Sequence, residues 1–317
     1  MIVSVVVVSW NGAEYLKGCL DALLDQDYAD LEVIVVDNAS SDGSDSLVEE
    51  HYPDVRLIRN ERNLGFATGN NVGLRVTRGE LVVLLNQDTV VQPNWLETLV
   101  GAFDDDAVGV AGCKIIHPDD RTIEHAGGYF TWPLGLAFHH GDGEEDQGQY
   151  DELREVEYVT AAAMAIRRSV LQRVGLLDEG FYPGYFEDLD FCRRARETGF
   201  RIVYVPRAVV IHHRSSSFSQ TVQGKPYAVF RGRFRFILKH YDPAEITDQF
   251  VPFQLSRLPQ MGGHELRALA LSCTDAQVMW PSIASARQFG DDKFDRVVCA
   301  LRELTDSAVL QERRTFG

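Results

Sequence analysis

The sequence predicts an α/β fold in which a mostly parallel sheet is flanked by helices and followed by a mainly helical C-terminal extension. Three observations predict it. Apolar, β-branched runs alternate with segments of helical periodicity over the first hundred residues. Polar clusters follow the ends of these runs, which is where ligands sit in parallel sheets. Beyond residue 219 the pattern becomes mainly helical.

Composition limits the classes of function. The chain has 317 residues, of which 45% are hydrophobic, so it can bury at least one large core. Its 47 acidic and 31 basic residues give a formal charge of -16, which argues against binding nucleic acid. The five cysteines are odd in number and widely spaced, so no disulfide framework or zinc knuckle is legible and a reducing compartment is expected.

Targeting signals are not evident. The apolar stretch 1–10 is too short to span a membrane and lacks the basic flank and cleavage site of a signal peptide, so it is expected to be a buried strand. No other stretch approaches the roughly 20 apolar residues of a transmembrane helix. A cytoplasmic protein is expected, at most attached to the inner face of the cytoplasmic membrane.

The first half of the chain predicts βαβ crossovers. Residues 2–9 form an uninterrupted apolar run, which is typical of a strand covered on both faces. The apolar residues between 15 and 24 recur at helical spacing. Further strands are predicted at 32–36, 56–59 and 81–85, and further helices around 47–48 and at 70–77.

The regular alternation of predicted strands and helices ends at about residue 108. We expect short strands and acidic, glycine-containing loops, then helices at 168–174 and 187–198, the second ended by Gly199. Strands are predicted at 201–205 and 209–212. The predicted domains are 1–218, with halves of about 1–107 and 108–218, and a helical extension 219–317, with the boundary near Phe218.

Two polar strand ends carry chemistry. Asp37 follows a buried run and precedes Ala-Ser-Ser-Asp-Gly at 39–43, so its carboxylate is placed to accept hydrogen bonds from a nucleobase or ribose. An Asx turn with a helix N-cap explains the same residues equally well.

Asp88, in Asn-Gln-Asp at 86–88, is placed to bind a divalent cation that neutralises a diphosphate. A polar strand terminus is the simpler alternative.

An acidic trio begins the helix predicted at residue 187. Glu187, Asp188 and Asp190 follow a loop rich in aromatic residues and glycine at 180–184, as expected at the rim of a pocket. The helix dipole favours acids at this position whatever their role.

Five motifs in order resemble family 2 inverting glycosyltransferases, and within them a rhamnosyltransferase-like branch. They are Val-Val-Ser-Trp-Asn at 7–11, the segment 36–43, Asn-Leu-Gly-Phe-Ala at 63–67, Leu-Asn-Gln-Asp at 85–88 and Phe-Glu-Asp-Leu-Asp at 186–190. The resemblance covers roughly residues 2–240, and the ordered set is far more specific than any one motif. It implies the nucleotide-diphospho-sugar transferase fold called GT-A.

The resemblance implies a donor site for a nucleotide diphosphate sugar. The donor-binding residues it implies are Ser9, Asn11, Asp37, Asn38, Asp42, Asn63, Gly65, Phe66, Asn70, Asn86 and Arg231. Asp88 inherits the role of ligand to Mg or Mn. Many relatives carry a carboxylate where this chain has Asn86, which leaves the number of protein oxygens on the metal open.

The resemblance also implies the catalytic groups. Asp188 inherits the role of general base, which takes the proton of the acceptor hydroxyl in a single displacement; Glu187 and Asp190 flank it. His212 matches a metal-binding histidine of some relatives, although a buried structural histidine is the alternative. Arg231 lies in the basic stretch 227–241, which fits contact with a diphosphate or phospholipid, or else a solvated helix face.

The implied activity is transfer of a sugar, rhamnose being one candidate, from a dTDP- or UDP-linked donor to a glycan or polyprenyl-linked acceptor in bacterial cell-surface polysaccharide synthesis. Peripheral membrane contact and a homodimer remain open. Two alternatives are a noncatalytic subunit that binds nucleotide sugar or glycan, and a sugar-nucleotide pyrophosphorylase. Asp88 and Asp188 argue against the first, and the lack of a triphosphate loop after the first strand argues against the second.

Overall fold

The computed structural model describes residues 1–119, 121–213 and 224–316. The chain divides into two compact units. The first consists of Met1–Tyr129, Ala137–Glu179 and Glu187–Ser217, and the second of Phe130–Leu136, Gly180–Phe186 and Phe218–Gly317. The boundary predicted near residue 218 lies outside the described residues and stays a prediction. Segments 130–136 and 180–186, which the sequence assigned to the first domain, group with the second unit.

The strands of the described residues confirm the α/β prediction. They are β1 Val3–Ser9, β2 Leu31–Asp37, β3 Arg56–Arg59, β4 Leu81–Asn86, β5 Thr89–Val91, β6 Val108–Ile116, β7 Ile123–His125, β8 Gly128–Thr131, β9 Leu136–His139, β10 Arg154–Glu155, β11 Ala163–Arg167 and β12 Arg201–His212. Strands β8 and β9 form a separate two-stranded sheet. The two strands predicted at 201–205 and 209–212 are one strand, β12, with a register shift between Val205 and Val209.

The main sheet is mixed. Its order is β10-β12-β6-β11-β4-β1-β2-β3, with β5 beside β12 and β7 beside β6. From β3 to β4 all neighbours are parallel. On the other side of β4, strand β11 is antiparallel to both β4 and β6, whereas β6 and β12 are parallel. Parallel pairing therefore dominates the first half of the chain, where the sequence showed βαβ alternation.

Helices of the first unit pack on this sheet. They are α1 Ala13–Leu24, α2 Ser44–His51, α3 Phe66–Leu74, α4 Trp95–Gly101, α5 Arg168–Val174 and α6 Glu187–Glu197. Helix α3 begins four residues before its predicted start, because Gly65 takes a left-handed φ of 79° and turns the chain into it. It lies close to β1, since a Cβ at Gly73 would stand 2.4 Å from Val6 Cγ1.

The second unit is mainly helical, as predicted for the C-terminal extension. Its helices are α7 Gly224–His240, α8 Pro243–Glu245, α9 Val251–Arg257, α10 Gly263–Ala286 and α11 Asp291–Phe316. Arg233 of α7 is buried, and its guanidinium donates to the Leu134 carbonyl and lies 5.1 Å from the Phe250 ring centre. Burial lowers its pKa to about 9. Among the described residues no helix is both long and apolar enough to cross a bilayer.

Candidate active site

The predicted site residues of the first half gather at one edge of the sheet. Ser9 is paired in register with Asp37, the last residue of β2, and Val8 with Asn86, the last residue of β4. Parallel strands bring their carboxyl ends to the same edge, so motifs up to 77 positions apart in the chain become neighbours. A side-chain contact confirms this proximity, because Gln87 Oε1 accepts a 3.0 Å hydrogen bond from the Trp10 amide.

Two buried oxygens at this edge are available to a ligand. Ser9 Oγ and Asp37 Oδ1 have no hydrogen-bond partner among the described residues, and both side chains are buried. The other oxygen of Asp37 accepts a 3.1 Å hydrogen bond from the Ser40 amide, which fixes the carboxylate. Buried polar atoms normally have a partner, so these two indicate a position for the hydroxyl or imide groups of a ligand.

Asn11 and Asp42 shape the turns around these oxygens. Asn11 Oδ1 accepts a 2.8 Å hydrogen bond from the Ser41 amide. Asp42 accepts hydrogen bonds from the Ala13 amide at 2.9 Å and the Ser44 amide at 3.1 Å, and so satisfies the first turns of α1 and α2. Burial acts to raise the pKa of Asp42, but these hydrogen bonds outweigh it and the pKa is lowered. The Asx-turn alternative thus describes Asp42 well, whereas the N-cap residue of α2 is Gly43.

The loop before α3 is held by Asn38. Its amide nitrogen donates to Asn63 Oδ1 at 2.9 Å and to the Gly65 carbonyl at 3.3 Å, and its oxygen accepts from the Leu64 amide at 3.0 Å. Asn70 Nδ2 donates to the Phe66 carbonyl at 3.0 Å. The structure therefore brings Asn38, Asn63, Gly65, Phe66 and Asn70 together, with the amides of Asn38 and Asn70 engaged in shaping the loop and the start of the helix.

Asp88 and His212 meet although 124 positions separate them in the chain. His212 Nε2 lies 3.3 Å from Asp88 Oδ1 and 3.4 Å from the Asn86 amide nitrogen. They meet because β5 pairs with the end of β12, with Thr89 opposite His212. The neighbouring His213 contacts Asp88 through the backbone, since its amide donates a hydrogen bond to the Asp88 carbonyl at 2.9 Å.

Glu124 completes this group, and the sequence reasoning did not find it. Both of its carboxylate oxygens lie within 3.0 Å of His212 Nδ1. Burial opposes the charge on His212, but the hydrogen bonds and negative charges of Asp88 and Glu124 prevail and raise its pKa to about 9. No local pattern marked it, because Glu124 stands among polar residues in Arg-Thr-Ile-Glu-His at 121–125.

The donor set fits a hard divalent cation. Within the described residues no group of three or more His, Cys, Asp or Glu side chains is arranged to hold a metal. Asp88 and His212 supply two donors, and their 3.3 Å separation is close to the roughly 3 Å between adjacent ligands of an octahedral ion with bonds of about 2.1 Å. Mg²⁺ characteristically takes few protein ligands and completes its shell with phosphate oxygens and water.

Asp188 lies close to the strand end that carries Asn86. Its Oδ2 accepts a hydrogen bond from the Ala161 amide at 3.2 Å, and its Oδ1 one from the Leu189 amide at 2.8 Å. The next residue, Ala162, accepts a 2.9 Å backbone hydrogen bond from the Asn86 amide. Burial raises the pKa of Asp188 above its ordinary 3.8 and outweighs the opposing effects of these hydrogen bonds and of His139.

Glu187 and Asp190 are both buried at the start of α6. Asp190 accepts a 2.8 Å hydrogen bond from Arg194 Nε, one turn along the helix. The same guanidinium donates to the carbonyls of Val174 and Leu176 at 2.6 and 3.0 Å. Asp190 is thus placed to orient the arginine that joins α6 to the turn after α5, and its predicted part in catalysis stays a prediction.

We expect Asp190→Ala to destabilise the fold. The variant leaves Arg194, whose side chain is 17% exposed, without its carboxylate partner, and losing one member of a buried pair costs about 3 kcal/mol. Urea unfolding of the purified variant measures this loss. Asp45→Ala, which removes a partly exposed partner of Arg59, is the control and should cost less than about 1 kcal/mol. Equal losses in the two variants would contradict a buried pair.

Arg231 belongs to the second unit. Its Nη1 donates to the Gly180 carbonyl at 2.9 Å and to the Tyr182 carbonyl, and its Nε lies 3.6 Å from Asp275. The guanidinium therefore holds the loop 180–182 through two carbonyl oxygens. Its predicted contact with the donor diphosphate stays a prediction.

Known proteins are similar to this chain in sequence and in fold. The chain is 31% identical over 225 residues to the O-antigen biosynthesis protein RfbC of Myxococcus xanthus, which covers 68% of this chain and 17% of that protein. It is 27% identical over 245 residues to the N-acetylglucosaminyl-diphospho-decaprenol L-rhamnosyltransferase of Mycobacterium tuberculosis, covering 68% of this chain and 77% of that one. The chain spans 17 to 45% of the length of several curated relatives.

Among solved structures, the mannosyltransferase PcManGT of Pyrobaculum calidifontis, in complex with GDP-Man and Mn²⁺, superposes with a TM-score of 0.55 at 19% identity. The match covers 98% of this chain and 86% of that one, and shows that the fold is of the GT-A type. The sequence model of Glycosyl transferase family 2 matches residues 4–175, more than half of the chain. The chain therefore belongs to glycosyl transferase family 2.

Proposed function

We propose that this chain transfers a sugar from a nucleotide diphosphate donor to a hydroxyl of a glycan or polyprenyl-linked glycan, with inversion and with Mg²⁺ or Mn²⁺ bound. One observation carries the proposal. His212 lies beside Asn86 and Asp88, the Asn86 amide donates to the Ala162 carbonyl, and the adjacent Ala161 amide donates to Asp188. The Asp88–His212 pair and the Asp188 carboxylate are therefore linked through the end of β4 and the residues just before β11.

We assign the following roles to the chain's own residues. Ser9 and Asp37 accept hydrogen bonds from the base or ribose of the donor. Asp88 and His212 hold the cation, which supplies charge neutralisation to the diphosphate leaving group. Asp188 takes the proton of the acceptor hydroxyl as the new glycosidic bond forms. A single carboxylate base is sufficient for direct displacement, and the product then has the inverted anomeric configuration.

For the donor we propose dTDP-rhamnose, with a UDP-hexose as the second candidate. The similarity to the mycobacterial rhamnosyltransferase supports rhamnose. The same relative acts on a polyprenyl diphosphate sugar, by its name, which supports a lipid-linked acceptor. The similarity to an O-antigen biosynthesis protein supports a place in cell-surface polysaccharide synthesis.

The decisive experiment is a panel of dTDP-rhamnose, UDP-glucose, UDP-N-acetylglucosamine and GDP-mannose, each with and without Mn²⁺. The cognate donor should raise the melting temperature, because a ligand that binds only the native state stabilises it. It should also release its nucleoside diphosphate when acceptor is added. Binding without release would indicate a noncatalytic subunit, and no response to any donor would contradict the proposal.

Asp37→Asn is the matched variant for this panel. Removing the charge from a hydrogen bond worth about 1.5 kcal/mol or more should weaken binding of the cognate donor at least about tenfold. Titration calorimetry with the nucleoside diphosphate measures the change. Asp45→Asn, a partly exposed position that pairs with Arg59, should leave donor affinity unchanged. An unchanged affinity in Asp37→Asn would contradict the assigned base or ribose contact.

A further inference from the structure

Glu124 is a buried acid whose carboxylate is directed at one ring nitrogen of His212. Its side chain is 6% exposed, and its two oxygens lie 3.0 and 2.9 Å from His212 Nδ1. The opposite ring nitrogen, Nε2, is the one that lies beside Asp88. The imidazole is therefore held between two carboxylates, one on each nitrogen.

The backbone at Glu124 has an irregular geometry that directs its side chain. Strand β7 is antiparallel to β6, with His125 opposite Ile115 and Ile123 opposite Ile116. The two consecutive residues of β6 thus face residues two apart in β7, and Glu124 is the extra residue of a β-bulge. Bulges turn a side chain away from the regular alternation of the strand and are common beside active sites.

The chemistry of imidazole gives this contact a consequence. A neutral ring carries its proton on one nitrogen and a lone pair on the other. When Nδ1–H donates to a carboxylate, the lone pair resides on Nε2, which is then the only nitrogen able to bind a cation. Histidine ligands of metal ions generally have such a partner on the far nitrogen, and it fixes both the tautomer and the orientation of the ring.

We propose that Glu124 is the positioning residue of the cation site. When a cation takes the place of the proton on Nε2, Glu124 holds the neutral His212 ring in the Nδ1–H tautomer, with Nε2 beside Asp88. Glu124 does not contact the cation itself. The role rests on the proposed function, in that His212 is taken to be a ligand of Mg²⁺ or Mn²⁺. It explains why a carboxylate is buried here, since burying a charge is costly unless it is paired and hydrogen bonded.

Affinity for Mn²⁺ tests the proposal without any activity assay. Free Mn²⁺ is measured by electron paramagnetic resonance on the full chain and on Glu124→Ala, Glu124→Gln and His212→Ala. We expect a 10- to 100-fold weaker affinity in Glu124→Ala, about the usual effect of removing such a partner. Glu124→Gln should lose less, because its amide oxygen still accepts from Nδ1–H. Glu155→Gln, which alters an exposed acid paired with Arg201, should bind like the wild type.

A second measurement separates positioning from a general loss of structure. The ¹⁵N chemical shifts of His212 in the Mg²⁺-saturated chain report its tautomer, and we expect Nδ1–H in the wild type and a mixture of tautomers in Glu124→Ala. If Glu124→Ala fails to fold, Glu124→Gln provides both measurements. Wild-type affinity and an unchanged tautomer in a folded Glu124 variant would overturn the proposal.

The outcomes also distinguish this proposal from the proposed function. Loss of Mn²⁺ binding in His212→Ala, with full binding in the Glu124 variants, would leave the cation site in place and refute the positioning role alone. A wild-type chain that takes up no Mn²⁺ at millimolar concentration would refute the cation site and the role of Glu124 with it. In that case donor binding by Asp37 and transfer by Asp188 are still tested separately.

Discussion

Asp188→Asn is expected to lower the rate of sugar transfer by about 10²- to 10⁴-fold, the usual contribution of a general base. The amide preserves the shape of the side chain, and its one oxygen can still accept a hydrogen bond from either the Ala161 or the Leu189 amide. It cannot take a proton from the acceptor hydroxyl. Binding of the donor should therefore be unchanged, while kcat falls.

The pH dependence of transfer provides an independent check on Asp188. Only the ionised carboxylate is a base, so the rate should rise as pH increases through the pKa of Asp188 and level off above it. Burial raises this pKa above 3.8. The rising part of the rate–pH profile, its acid limb, should therefore lie at higher pH than for an exposed aspartate. The limb should be absent from the residual activity of Asp188→Asn.

Initial rates with the cognate donor and acceptor measure both effects. Asp27→Asn, an exposed aspartate, makes the same chemical change and should retain wild-type kinetics. If Asp188→Asn transferred sugar at the wild-type rate, with the acid limb intact, another group would have to be the base.

Asp88→Ala is expected to lower kcat/KM by about 10²-fold or more at limiting Mn²⁺. The variant removes one of the two side chains proposed to bind the cation, Asp88 and His212. Neutralising a departing diphosphate stabilises the transition state by several kcal/mol, and about 1.4 kcal/mol corresponds to each factor of ten in rate. His212→Ala should behave similarly, because it removes the other donor.

The dependence on Mn²⁺ concentration separates these variants from Asp188→Asn. Raising Mn²⁺ should restore part of the rate in Asp88→Ala and His212→Ala, because their main defect is weaker binding of the cation. It should restore none in Asp188→Asn. Asp54→Ala, at an exposed position, serves as the control. A wild-type Mn²⁺ response in Asp88→Ala would rule out its role as a ligand.

Much of the candidate site was predictable because the ends of buried strands can be located from the sequence pattern. Asp37 and Asn86 follow apolar, β-branched runs, and parallel pairing brings the ends of such runs together. The adjacency of Ser9, Asp37 and Asn86 therefore needed only the pattern and the rules of sheet topology. The ordered motifs then predicted the family, which the family match confirms, whereas the roles of these polar residues stay predictions.

Other contacts of the site were not predictable, because they depend on long-range geometry. Glu124 reaches His212 across 88 positions through a bulge, and no local pattern reports the direction of a bulged side chain. Asp190 stood in an acidic motif, yet its carboxylate contacts Arg194 of the same helix. A motif marks where polar residues occur, whereas packing decides which of them a neighbouring arginine neutralises.

The hydrogen bond from Asn86 to Ala162 joins main-chain atoms at the end of β4 and just before β11. Side-chain replacement at either position leaves these main-chain atoms in place, so the spacing of the two segments is set by the backbone. Within the proposed function, substitutions here would change the polar groups at this edge of the sheet without moving the two segments apart.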